Sequence, residues 1–227
     1  MWDKLGSVKP WRNPRSGSAL SWPTRIPGRP NELSWNVTRI LVEKGTDARF
    51  LTKAEIEGRM QIQEFVEDFL RPHVPGFRNC TLSSIGRQIG VRETRRIEGE
   101  YELQAEDLLN CRKFPDAIAC NSYPIDIHSP DGGATEYREN LLSHGGYYTI
   151  PYRSLVASGM DNLLACGRCL SASHEALSAV RILSAAMATG EAAGTAAALC
   201  AAGHGAARDL DIAQLRKKLI EAGAFVG

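Results

Sequence analysis

Residues 161–203 read DNLLACGRCLSASHEALSAVRILSAAMATGEAAGTAAALCAAG, and no other stretch constrains the architecture as much. Asp161-Asn162 leads into LLACG, a short apolar run expected to form a strand that stops on Gly167. A long helix should begin in the region Ser178–Leu183 and run to about Ala202, built mostly of small residues with Gly190 and Gly194 inside it. Each interior glycine costs about 1 kcal/mol relative to alanine, tolerable where another backbone packs closely. The order strand, glycine, short polar loop, small-residue helix has chemical meaning. A strand ending in glycine lets a ligand approach the backbone, and a helix N-terminus behind it stabilises negative charge, so oxygens of a cofactor could be held there. Gly190-x-x-x-Gly194 also has the spacing of paired membrane helices, but Glu191 and the Ala-rich composition argue against a span.

Outward from this segment the pattern changes. After Gly203-His204-Gly205, LDIAQLRKKLIEAG predicts a final amphipathic helix with Ile212, Leu215 and Leu219 on one face. Between 80 and 150, short strand-like runs (TLSSIG, EGEYEL, Tyr123 to Ile127, YYTI) alternate with turn signals, and AEDLLN from Ala105 reads as a short helix. That predicts a mixed, mostly antiparallel sheet in an α+β fold. Thr52, with Glu55 three residues on, predicts a helix start. Ile56, Met60, Phe65, Val66 and Phe69 should share its core face, and Pro72 should end it. The β-branched run Asn36 to Val42 reads as a strand. Residues 1–30 hold six Lys/Arg and one acid among Pro, Ser and Gly, which predicts loop or disorder, with a basic arm for a polyanion as the alternative. The remaining residues carry 21 basic and 25 acidic groups, so the +1 total conceals a basic start and a mildly acidic body. Near-neutral charge argues against nucleic acid as a partner, and the first residues lack the apolar core of a signal peptide, which favours the cytoplasm. The expected divisions are residues 1–32, 33–150 and 151–227.

Several groupings could carry chemistry. Cys166-Gly-Arg-Cys169 has the spacing of a thiol redox pair, but it closes a strand rather than opening a helix, and no second pair completes a metal site. His174-Glu175 lacks the second histidine of a zinc-protease helix, since Ser178 stands in its place. With Arg181, these two residues could donate protons or clamp a carboxylate if they face a pocket; otherwise they are surface charges at a helix entrance. Arg92 and Arg95 lie in the charged run GVRETRR, which by itself reads as a salt-bridged edge. In YPIDIH, Asp126 and His128 should share a strand face, opposite to Tyr123. No metal ligands are assigned.

The stretch from Ile150 to Leu199 resembles the C-terminal part of the FAD-dependent oxidoreductase family often labelled xanthan-lyase-like. IGVRETRRIEGEYEL, YPIDIH, the entrance Asn36-Val-Thr-Arg39 and Pro75-Gly-Phe77 are similar to family segments too, so the resemblance covers about residues 33–226. It implies that Gly167 and Arg168 lie beside the pyrophosphate–ribityl part of FAD, and Ser184, Ala185, Ala186 and Met187 near the flavin pyrimidine. It implies further that His174, Glu175 and Arg181 face the substrate side of the ring, with Arg92 and Arg95 to hold an anionic substrate or a ring edge; Asp126 and His128, from their shared strand face, are added as substrate-binding candidates. The expected activity is hydride transfer between a small organic substrate and flavin. Nowhere does the chain show G-x-G-x-x-G after a strand with an acidic residue some 20 positions on. It therefore reads as the C-terminal strand–helix part of an FAD-binding domain without its Rossmann half, a truncated product or a subunit partnered by a separate N-terminal half. The alternatives are a non-catalytic remnant or interaction module that binds no cofactor alone, and a CxxC thiol redox protein.

Overall fold

The computed structural model describes residues 23–41, 44–128, 135–138, 145–203 and 205–227, which fall into two compact units. Of the described residues, the first unit takes those up to 91 and His128, and the second those of 92–127 and from 135 onward.

Residues 1–22 of the region read as loop lie outside the described residues; in the first unit its end, from residue 23, instead enters an antiparallel hairpin of β1 (Thr24–Ile26) and β2 (Arg29–Ser34). Its turn uses Gly28 at φ 76°, a conformation that costs glycine little. The strand expected from Asn36 does not form over residues 36–41. Instead the Gln61 side chain acts as a strand edge: its Oε1 accepts from the Arg39 N–H at 2.9 Å and its Nε2 donates to the Arg39 carbonyl at 3.0 Å. Helix α1 (Ala48–Glu64) starts four residues before Thr52, capped by Asp47, whose carboxylate accepts from the Arg49 N–H. The Thr52 hydroxyl donates to the Ala48 carbonyl within the helix. A π-helical segment (Phe65–Leu70) and one last turn, α2 (Arg71–His73), continue it. Phe65, Val66 and Phe69 are buried as expected, but Ile56 is 58% exposed and Met60 44%. α1 itself buries Ala54, Gly58 and Gln61 instead, and a Cβ at Gly58 would meet Ile40 at 3.2 Å. Small residues face the Arg39 segment because backbone has to come close there. The aromatic half packs Trp35 edge-on to Phe65 and Phe77.

The second unit is mixed α+β, but its strands form separate two-stranded antiparallel ladders rather than one sheet. β3 (Ala117–Asn121) pairs with β6 (Tyr148–Pro151), and β4 (Ile125–His128) with β5 (Thr135–Arg138). Of the expected strands, YYTI and the Tyr123–Ile127 run are found within two residues, EGEYEL and LLACG survive only as isolated bridges, and TLSSIG forms none. Those bridges make an irregular mesh. Residues 97–103 lie beside 153–158 through Gly99↔Ala157, and beside 169–173 through Leu103↔Ala172, while Val156 bridges Leu164. Helix α3 (Ala105–Leu109) begins where sequence places it, with the Asp107 carboxylate accepting from the Gln104 N–H at 3.0 Å.

After the mesh come α4 (His174–Val180), α5 (Leu183–Gly203) and α6 (Ile212–Glu221). No single helix among the described residues is long and apolar enough to cross a membrane; α4 and α5 are bent by 93° to each other. α5 packs on β3 and α6. Ala185, Thr189, Ala192 and Ala196 line its buried face, and Leu215 and Leu219 of α6 close the core with Leu103, Ile118, Ile150 and Leu177. The glycine expectation changes here: among the described residues Gly190 approaches only the Cys166 sulfur, and none lies within 4 Å of a Cβ built at Gly194.

Two substitutions test this packing. A Cβ at Gly99 would sit 2.6 Å from the Ser171 Cβ and 3.2 Å from the Arg153 carbonyl, so Gly99→Ala should cost about 1–3 kcal/mol in urea unfolding. Gly194→Ala should stabilise by about 0.5–1 kcal/mol, because the methyl enters open space in a helix interior. The Tyr101 hydroxyl is pushed up to about 12, by burial first and then by its hydrogen bond to Asp107 (2.7 Å). Its contribution is complete below pH 10 and is lost as pH rises through about 12. Tyr101→Phe should therefore show a shallower loss of urea midpoint than wild type between pH 9 and 12.

Candidate functional site

The site grows from the mesh. Cys166 is extended and enters a single 3₁₀ turn, Gly167–Cys169, in place of the expected strand end. Gly167 has φ 61°, the left-handed region, and its N–H donates to Thr189 Oγ1 at 3.1 Å. Thr189 in turn donates to the Ala185 carbonyl at 2.8 Å, and a Cβ on Gly167 would lie 3.5 Å from that of Ala186. The turn is thus pinned against the first turns of α5. Among the described residues the six cysteines are free thiols; Cys166 packs against the core and Cys169 is exposed.

Ser173 caps α4, its hydroxyl accepting from the Ala176 N–H. This sets His174 and Glu175 on the first turn of α4 and Arg181 at its end. Their partners come from elsewhere. Glu93 accepts from His174 Nδ1 at 2.8 Å, lies 4.0 Å from Arg181 and is also paired with Arg96. Glu175 binds Arg138 of β5 at 2.7 Å. Arg181 has a side chain only 12% exposed, and its Nη2 donates to the Asp126 carbonyl at 3.3 Å. Burial holds its guanidinium below the usual arginine value; the nearby Arg92 and Arg168 add to that, while Asp126 and Glu93 oppose it. It remains a cation at neutral pH. Asp126 is placed by Ser178, whose hydroxyl accepts the Asp126 N–H at 3.0 Å and donates to the Glu175 carbonyl, and by Tyr123, whose hydroxyl donates to Asp126 Oδ2 at 3.2 Å.

Arg92, Asp126, Arg168, His174 and Arg181 therefore share one neighbourhood, and Glu175 sits beside it, engaged with Arg138. Arg95 is exposed, and no described contact brings it to this group. His128 ends β4, but its side chain lies outside the described residues. On α5, Ala185 is buried beneath Thr189, Ala186 faces Gly167, and Ser184 and Met187 are exposed beside Leu183. Sequence reasoning passed over Glu93, Arg96 and Arg138. The signal for Glu93 was limited to its i,i+3 spacing to Arg96; nothing local announces a partner 81 positions away. Among the described residues no three His, Cys, Asp or Glu side chains group to hold a metal ion. Chemically, the arrangement offers a buried cation for an anionic ligand and an imidazole paired with a carboxylate.

Ser178→Ala leaves the buried Asp126 N–H without its acceptor. It should cost about 1–3 kcal/mol, read by denaturant unfolding, and loosen Asp126 and Arg181 together.

No curated protein and no solved structure matches this chain. The family model described as FAD dependent oxidoreductase matches residues 4–219, beginning well before residue 33. With nearly its whole length covered, the chain belongs to the FAD dependent oxidoreductase family.

Proposed function

We propose that the chain takes part in two-electron oxidation or reduction of a small anionic organic molecule, with FAD as the electron carrier. The observation that carries this reading is the Arg181 side chain, only 12% exposed and within electrostatic reach of Arg92 and of Arg168 on the pinned turn that meets α5. The residues fit the ring end of the cofactor. Gly167 spends its N–H on Thr189 and its open side on Ala186, so it serves the close approach of the turn to α5. The first-turn amides of a 21-residue helix, the Arg168 guanidinium and exposed Ser184 offer donors for an anionic ring edge, with Met187 and Leu183 as apolar surface. No described residues supply the glycine-rich turn that takes the adenosine end.

Bound there, FAD would supply the hydride chemistry. The chain's own residues do the rest. Arg181, with Arg92, holds the substrate's negative charge; burial strengthens that attraction and fixes orientation. His174 offers a ring nitrogen for proton transfer. Glu175 and Arg138 neutralise one another beside it. Asp126, Ser178 and Tyr123 keep Arg181 in place.

A second reading, a module that binds no flavin alone and docks a separate FAD-binding half, is supported by the exposure of Leu183 (77%) and Met187 (66%). Titration of the purified chain with FAD, followed by flavin fluorescence, separates the two. Saturable binding that weakens roughly tenfold in Arg168→Ala, about 1.4 kcal/mol, is expected. Absence of saturable binding in wild type would favour the docking module.

A further inference from the structure

We propose that Glu93 is a positioning residue that fixes which ring nitrogen of His174 carries the proton, leaving Nε2 as the proton-accepting atom of the site. The proposal deepens the reading of His174 as a proton-transfer group and rests on it. Its structural half stands on geometry alone. His174 Nδ1 lies 2.8 Å from Glu93 Oε2. A carboxylate only accepts hydrogen bonds, so Nδ1 must donate, and the neutral ring then has its lone pair on Nε2. In water a neutral histidine prefers the opposite arrangement, with the proton on Nε2. The protein therefore has to hold the less common form, and the surroundings show how.

Glu93 does not swing freely. Its Oε1 is held by Arg96, while Arg181, 4.0 Å from Oε2, attracts the other oxygen electrostatically. Only 22% of the Glu93 side chain is exposed, whereas His174 is 63% exposed. The other nearby acids are committed: Glu175 to Arg138, and Asp126 Oδ2 to Tyr123. Glu93 also links the two functional groups of the site, because the same oxygen faces both His174 and Arg181. A molecule whose anionic end is held by Arg181 would find the proton acceptor at a fixed distance from that anchor.

The test uses the full chain without added flavin, so it is independent of whether FAD binds. Long-range ¹H–¹⁵N spectra of the histidine rings, recorded near pH 9 where a histidine is neutral, report the proton on each nitrogen. Wild type should show His174 with a protonated Nδ1 and an unprotonated Nε2. Glu93→Ala should shift the ratio of the two forms by roughly tenfold or more toward Nε2–H. Glu93→Gln, which keeps an acceptor oxygen, should retain the wild-type pattern. A wild-type ring protonated on Nε2 overturns the proposal even if neither variant folds, and so does a Glu93→Ala ring identical to wild type. If the ring behaves as expected but FAD titration gives no binding, the functional reading fails while the role of Glu93 stands.

Discussion

Both backbone polar groups of Leu103 are committed to the segment before α4: its N–H donates to the Ser171 carbonyl at 3.1 Å, and its carbonyl accepts the Ser173 N–H at 2.9 Å. Its side chain is fully buried among Leu108, Leu170 and Leu177. A buried backbone group left unpaired costs about as much as a lost hydrogen bond, so this bracket locks the two segments in register. Ile97 to Cys169 continues the pairing. The consequence is positional. Ala172 bridges Leu103 in parallel, so the bracket fixes where α4 begins and with it where His174 stands; Glu93 reaches His174 from the chain before Ile97. On the other edge Glu100 and Tyr101 bond to Val156 and Arg153, so the same short segment also anchors the chain that follows β6.

The corner between α4 and α5 converts this register into a site. Arg181 caps α4 just before a 93° change of direction, and its guanidinium turns inward to the Asp126 carbonyl while α5 leaves along the core. A nearly buried arginine needs partners for its donors. Here they are backbone oxygen and carboxylate, with other arginines close enough to matter. That balance is what a site for an anion requires: positive charge withdrawn from water, held rigidly, and not fully neutralised by one dedicated acid. Thr189 performs the equivalent task for the backbone, joining the Gly167 turn to the interior of α5.

Legibility in the sequence followed the range of the forces. Helices α3 and α6 were readable because capping and periodicity are local, and α5 from its run of small residues, though α4 as a separate helix before it was not; the burial of Phe65, Val66 and Phe69 was legible too. Asn36–Val42 misled because β-branched propensity promised a strand, while the partner edge turned out to be one glutamine side chain. Ile56 and Met60 misled because small residues, Ala54 and Gly58, made the close contact, and a π-helical segment changed the phase of the aromatic face. The expected sheet divided because EGEYEL and LLACG pair through single bridges. At the site, His174, Arg181 and Asp126 were named from their local pattern and Arg168 from the family resemblance, but their grouping and the hub at Glu93 depend on contacts between distant segments that no local pattern encodes.

Residue-resolved amide hydrogen exchange tests the dependence of the site on the Leu103 bracket most directly. The Leu103, Ser171 and Ser173 amides should exchange in the slowest class, together with those of the β3–β6 ladder, as parts of one cooperative unit. Rapid exchange at Leu103 and Ser173 with the β3–β6 ladder still protected would contradict the account.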